Sequence, residues 1–151
     1  MKSKYDLFLS SKIIDISEDV KMLIPIEIWW KKQNDFLGLE LSLEQAKELK
    51  KHLEKAQIML KIIPILYKNP KITFEKAKNI AFNEYSKVKS ANINRYGDFK
   101  IGSDHPIWYS FFSDDYTLQE QGYTPGYWGV YVDKLTGNIM GNQEIIHYLF
   151  L

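Results

Sequence analysis

The chain has 151 residues, of which 45% are hydrophobic and 26% charged, as in a globular protein large enough to bury a core. Its formal net charge is +1, so no strong field would gather nucleic acid or an anionic membrane. It has no cysteine, which excludes disulfides, thiolate zinc sites and cysteine nucleophiles.

The first 64 residues predict a hairpin followed by a helix. Residues 22–30 alternate like a strand, residues 13–16 form a shorter strand, and residues 7–9 pair or pack nearby. Residues 36–41 are predicted as the returning strand of the hairpin. Ser42 and Gln45 have the spacing of a capping box, which opens an amphipathic helix. We expect this helix to end near Pro64, because proline clashes with the preceding turn of a helix.

The second half predicts one long helix and a set of strands. Thr73 is the predicted N-cap of the helix, whose buried stripe comprises Ala77, Ile80, Ala81, Tyr85 and Val88. Residues 99–101, 107–113 and 127–132 are strand-like, and residues 114–125 are predicted as a loop. Residues 133–137 form a tight turn with Gly137 at positive φ, followed by a return strand over 138–140. Residues 143–150 fit a helix or a strand.

Strands and helices are segregated along the chain, which predicts an α+β fold. We expect an N-terminal β-hairpin and helix, then a helix packed on a mainly antiparallel sheet of three to four strands. The Asn69-Pro70 dipeptide favours a boundary between two lobes, 1–69 and 70–151, although one continuous domain fits as well. No apolar stretch is long enough to span a bilayer and no signal peptide is indicated, so we expect a cytoplasmic protein.

Motifs for catalysis are not found in the sequence. It has no nucleophile elbow, phosphate-binding glycine loop or metal-binding histidine spacing. The adjacent Asp114 and Asp115 favour a strand end and turn over a pair of catalytic carboxylates. Glu144 and His147, three residues apart, favour a hydrogen-bonded pair on a helix over an acid–base or metal pair. We expect no enzymatic activity, metal or cofactor, with an unrecognised site that uses His147, Glu144 or Asp115 as the alternative.

Aromatic residues crowd the segment from Trp108 to Gly137. Because side chains alternate along a strand, a core made by Phe111, Val130 and Val132 would turn Phe112, Tyr131 and one tryptophan outward. Exposed aromatic residues beside carboxylates are typical of protein interfaces. The predicted partner-binding residues are Trp108, Phe112, Asp114, Asp115, Tyr116, Glu120, Tyr123, Tyr127 and Trp128.

Residues 72–140 also carry an ordered series of short motifs. The series is ITFEKA over 72–77, WYSFFS over 108–113, PG over 125–126 and YVDKLTGNI over 131–139. This order resembles the immunity protein 35 domain family, small bacterial proteins linked with polymorphic toxin systems. The resemblance implies a cytoplasmic protein that neutralises a cognate toxin by binding it, and it supplies no catalytic residues. From the near-neutral charge we expect no nucleic-acid or membrane partner.

The same stretch is similar to PepSY-type helix-plus-sheet modules, which share the D-x-x-T-G-x-I hairpin. The alternative function is therefore a PepSY- or cystatin-like module that binds peptides or regulates a peptidase. Such a module would add a peptide strand to the edge of its sheet. The sequence does not indicate an oligomeric state.

Overall fold

The computed structural model describes residues 3–9, 36–56 and 58–151. The predicted strands over 13–16 and 22–30 lie outside these residues. The chain forms two compact units, one of Met1–Lys68 with Ile145–Leu151 and the other of Asn69–Glu144. Both combine helix with antiparallel strands, so the predicted α+β fold is confirmed. Within the described residues, no helix is long and apolar enough to cross a membrane.

The first unit pairs two strands that lie on either side of a helix in sequence. Strand β1 (Tyr5–Leu9) is antiparallel to β2 (Leu60–Pro64), and helix α1 (Leu43–Lys55) lies between them in the chain. A 3₁₀ turn, Ile65–Lys68, follows β2. The predicted capping box is confirmed, because Ser42 accepts from Gln45 N–H while the Gln45 side chain accepts from Ser42 N–H. The buried core residues are Leu7, Leu9, Leu37, Ala46, Leu53, Ile58, Leu60 and Ile62.

Helix α1 ends at Lys55, so the prediction that it extends to near Pro64 is wrong. Leu60, Ile62 and Ile63 are buried in β2 instead, in register with β1. Branched residues favour a strand when a partner strand is available to pair with them. That partner lies more than fifty residues earlier in the chain, which local sequence does not reveal.

The predicted returning strand over 36–41 is also wrong as a continuous strand. It makes only isolated bridges to β1, at Phe36 with Phe8 and at Leu41 with Tyr5. Between the bridges, Gly38 has a φ of 81° and Asp6 of β1 accepts hydrogen bonds from the backbone. Hydrogen bonds to the Asp6 carboxylate therefore take the place of backbone hydrogen bonds between strands at residues 38 and 39.

The second unit packs one long helix against a three-stranded sheet. Helix α2 (Phe74–Ala91) begins after Thr73, whose hydroxyl accepts from Lys76 N–H, as predicted. The antiparallel sheet has the order β3 (Lys100–Ile101), β4 (Trp108–Asp114) and β5 (Tyr127–Asp133). Its core residues are Ile72, Ala77, Ala81, Phe111, Val130 and Val132, which confirms the predicted core positions of β4 and β5.

The connections of the second unit differ from the prediction at two places. The predicted loop 114–125 contains a short helix, α3 (Tyr116–Glu120), because the Asp115 carboxylate caps it by accepting from Leu118 N–H. The predicted return strand 138–140 is reduced to a bridge between Ile139 and Val132. The C-terminal stretch is helical, as α4 (Asn142–Leu149).

Candidate protein-binding surface

Strands β4 and β5 divide their side chains between two faces of the sheet. Their register pairs Phe111 with Val130 on the side that packs against α2, and Phe112 with Gly129 on the other. We call this second side the open face. Its residues are Lys100, Ser110, Phe112, Asp114, Tyr127, Gly129 and Tyr131.

The centre of the open face is aromatic and accessible. The ring centroids of Phe112 and Tyr127 lie 5.4 Å apart, and Tyr127 is 43% exposed. Phe112 and Tyr131 are half-buried, and burial raises the pKa of Tyr131 above its ordinary value. Gly129, between the two tyrosines, is exposed and adds no side chain. The rings therefore form an aromatic patch of the kind that anchors a protein partner.

A polar rim borders this patch. Asp114 Oδ2 lies 3.3 Å from Lys100 Nζ, and Asp114 Oδ1 accepts from Gln119 Nε2 at 3.1 Å. The same Lys100 ammonium lies 5.8 Å from the centroid of the Phe112 ring. An apolar centre with a charged, solvated border is the usual anatomy of a protein interface.

Trp108 lies at one end of the open face but is buried. The His105 ring stacks on it with centroids 3.7 Å apart, and His105 Nδ1 accepts from Ile107 N–H at 3.1 Å. The Trp108 ring in turn contacts the Tyr131 ring edge-on, with the ring centroids 5.5 Å apart. Although predicted to bind a partner, Trp108 thus supports Tyr131 from within the fold.

Unlike Trp108, Trp128 and Asp115 lie away from the open face. Trp128 is half-buried on the α2 side of the sheet, where the centroid of its ring lies 5.9 Å from that of the Tyr85 ring. Asp115 is buried and accepts two hydrogen bonds from Arg95 Nε and one from its Nη2, at 3.0 to 3.2 Å. Both residues stabilise the second unit.

The other predicted residues lie on α3 and the loop after it. Tyr116, Glu120 and Tyr123 are exposed there. Of the nine predicted residues, the structure therefore groups Phe112, Asp114 and Tyr127 on the open face.

Four residues of the open face were not among the predicted binding residues: Lys100, Ser110, Gly129 and Tyr131. Alternation along β5 did predict that Tyr131 faces outward. Lys100 and Gly129 become recognisable only from the register, which sets both opposite Phe112 on neighbouring strands.

Residues 133–137 of the YVDKLTGNI motif form a turn that holds the end of β5 in place. Asp133 Oδ1 accepts from Leu135 N–H at 2.7 Å, and Gly137 has a φ of 76°, as predicted for the turn. The Lys134 carbonyl accepts from the backbone of Lys71 and Ile72, which ties the turn to the segment before α2. These contacts position β5.

The Arg95–Asp115 pair gives the stability of the protein a predictable pH dependence. The hydrogen bonds from Arg95 are the main cause that holds the pKa of Asp115 below its ordinary value, against the opposing effect of burial. A lowered folded-state pKa stabilises the fold above the unfolded pKa of about 4, and the contribution is lost as pH falls through the folded value.

We therefore expect the free energy of unfolding to fall as the pH drops below the unfolded pKa of about 4, and to fall less in Asp115→Asn. Chemical denaturation at a series of pH values measures both slopes. Asp98→Asn is the control, because Asp98 is exposed and makes no ion pair among the described residues. Equal slopes in the wild type and Asp115→Asn would contradict the expectation.

Besides the open face, the second unit has a shallow hollow of about 280 Å³. It is lined by Phe74, Ile101, Gly102, Ser103, Asp104, Tyr109 and Ser110. Its polar groups are engaged: Tyr109 OH donates to the Ile72 carbonyl at 2.8 Å, and Asp104 pairs with Lys134 Nζ at 3.0 Å. Among residues 3–9, 36–56 and 58–151, no group of histidines and carboxylates is arranged to hold a metal ion.

Comparisons with known proteins identify no relative. No family model matches the chain, and no match was found among curated proteins or solved structures. A functional proposal therefore depends on the chain's own geometry and on the short motifs of residues 72–140.

Proposed function

We propose that this chain is an immunity-type protein that binds and neutralises a cognate bacterial toxin. The observation that carries the proposal is the open face, where Phe112 and Tyr127 form a partly exposed aromatic pair beside the Lys100–Asp114 ion pair. Buried aromatic anchors surrounded by a polar rim supply most of the energy of protein interfaces. The resemblance of residues 72–140 to the immunity protein 35 domain family supports a toxin as the partner.

The setting of the open face suits tight binding. On the opposite side of the same strands, Phe111 stacks on Phe99 and packs with Val130 against α2. The backbone that carries Phe112 and Tyr127 is therefore fixed before the partner arrives. A pre-organised surface loses little conformational entropy on binding, so more of the contact energy appears as affinity. In this proposal, the toxin is neutralised because the bound protein covers it.

The proposal predicts that a toxin domain is encoded beside the gene of this chain, and it is tested by co-expressing the chain with that domain. We expect the toxin domain alone to stop growth, and the chain to restore growth and to copurify with the toxin in a stoichiometric complex. Toxicity that the chain does not relieve, with no complex formed by the purified proteins, would refute the proposed function.

A second candidate function is a PepSY- or cystatin-like module that binds peptides or regulates a peptidase. One observation favours it: from Tyr127 to Val130 the outer edge of β5 pairs with no other strand in the described part of the chain. Inhibition of a peptidase by a chain that gives no protection against the toxin would favour this candidate.

A further inference from the structure

Next to the open face, the outer backbone edge of β5 pairs with no other strand from Tyr127 to Val130 among residues 3–9, 36–56 and 58–151. Tyr131 O and Asp133 N bond outward, to Met140 N and Asn138 O, so the odd-numbered residues of β5 direct their backbone groups away from β4. The outward groups before them are the N–H and carbonyl of Tyr127, the N–H and carbonyl of Gly129, and Tyr131 N–H. None of these groups has a hydrogen-bond partner in the described residues.

This edge lacks the usual features that keep a strand from pairing with another chain. Charged residues, prolines and bulges commonly protect edge strands. From Tyr127 to Tyr131 the sequence is YWGVY, which contains none of these residues, and the ladder with β4 is continuous. Gly129 is exposed at its middle, so another backbone can approach without meeting a side chain there. The opposite edge, β3, has only two residues.

We infer that an extended segment of the toxin adds to the sheet as a fourth strand along Tyr127–Gly129–Tyr131. This inference rests on the proposed toxin-binding function and specifies how the toxin is held. Unpaired donors and acceptors alternate along this edge, and an extended backbone is the ligand that complements them. Every second side chain of the added strand would lie on the same side of the sheet as Phe112 and Tyr127. The aromatic patch and the edge then form one continuous binding surface.

The edge of β5 is better suited to pairing with an extended segment of another protein than with β5 of a second copy of this chain. Residues 138–140 already pair outward of Tyr131 and Asp133, so an added strand has to end at Tyr131. In an antiparallel pair of two β5 strands centred on Gly129, Tyr127 of one copy would face Tyr131 of the other. The chain that precedes Tyr127 would then run into residues 138–140 of the other copy. A segment that ends or turns at Tyr131 meets no such obstacle.

The test compares Gly129→Pro with Gly129→Ala in binding to the toxin domain encoded beside the gene. Both substitutions add a Cβ, which at this position meets only ordinary contacts, 3.7 Å from the Phe111 carbonyl oxygen and 3.9 Å from a Tyr127 ring carbon. Only proline removes the outward N–H and fills its place with a ring, and proline is tolerated where the N–H of an edge strand faces solvent. We expect Gly129→Pro to bind about tenfold or more weakly than Gly129→Ala, from the lost hydrogen bond and the blocked approach.

A second measurement needs no variant. In the complex with the wild-type chain, hydrogen exchange of the Gly129 and Tyr131 amides should slow strongly. The amide of Gly122, which donates to the Gln119 carbonyl in the loop after α3, should keep its rate. Equal affinity of the two variants, or unprotected amides in the complex, would overturn the inference while the toxin-binding function stands. A wild-type chain that forms a dimer without toxin, and that Gly129→Pro makes monomeric, would overturn it in favour of self-pairing. If the wild type does not bind the toxin at all, the proposed function itself fails.

Discussion

Replacing Phe112 or Tyr127 by alanine is expected to weaken toxin binding by about 30-fold each, the effect of losing a central aromatic anchor worth about 2 kcal/mol. The two rings touch, so the double variant should lose less than the product of the single effects. Titration calorimetry with the toxin domain measures the affinities, and growth of the co-expressing cells measures neutralisation. Because Phe112 and Tyr127 lie on the side of the sheet away from α2, the variants should fold normally.

Phe82→Ala is the matched control for these substitutions. Phe82 lies on α2 and is 48% exposed, close to the 43% of Tyr127, but it is not on the open face. We expect this variant to keep its affinity within about twofold, as non-interface surface substitutions do. An equal loss in Phe82→Ala, or no loss in either open-face variant, would show that the open face is not the binding surface.

Replacing Asp6 by alanine is expected to lower the free energy of unfolding of the first unit by about 3–5 kcal/mol, the cost of breaking a buried ion pair. Asp6 is fully buried and pairs with Lys68 Nζ. Its carboxylate also accepts from Leu7 N–H at 2.7 Å and from Gly38 N–H and Leu39 N–H at 3.0 Å. The substitution leaves these backbone donors without their acceptor, and the Leu7 N–H is buried, where water does not replace the carboxylate.

Urea denaturation, followed by amide exchange in the first unit, measures this loss. Glu40→Ala is the control, because Glu40 pairs with Lys4 at 3.9 Å and both side chains are largely exposed. Such surface pairs contribute little, so the control should be nearly as stable as the wild type. Equal stabilities for the Asp6 and Glu40 variants would mean that the buried carboxylate does not hold residues 38 and 39 in place.

Local chemistry made much of this fold predictable. The caps at Ser42 and Thr73 each satisfy backbone donors within three residues, so their sequence spacing is sufficient to place two helix starts. Likewise, strict alternation placed Phe111, Val130 and Val132 in the core. Each of these features depends on neighbours in the chain, which the sequence displays directly.

The features that the sequence did not predict depend on contacts between residues that are not neighbours along the chain. Asp6 is one acidic residue among many in the sequence, and its role depends on Gly38, Leu39 and Lys68. The burial of Trp108 depends on His105, whose ring stacks on it. Asp115 lies just after the end of β4, as predicted, but the prediction that it binds a partner did not foresee its pairing with Arg95, twenty residues earlier. The burial of these residues is set by contacts between residues that are not adjacent in the chain, which the local sequence does not show.

The C-terminal residues Ile145–Leu151 belong to the first unit, together with Met1–Lys68. Lys50 Nζ donates to the Leu151 carbonyl at 3.1 Å, and Leu151 packs against the core of that unit. In topology, the unit that bears the open face is an insertion within the other. During synthesis, Asn69–Glu144 emerges as an uninterrupted stretch, whereas the other unit is incomplete until Ile145–Leu151 has also been synthesised. The unit that bears the open face thus has all of its own residues available for folding before the other unit does.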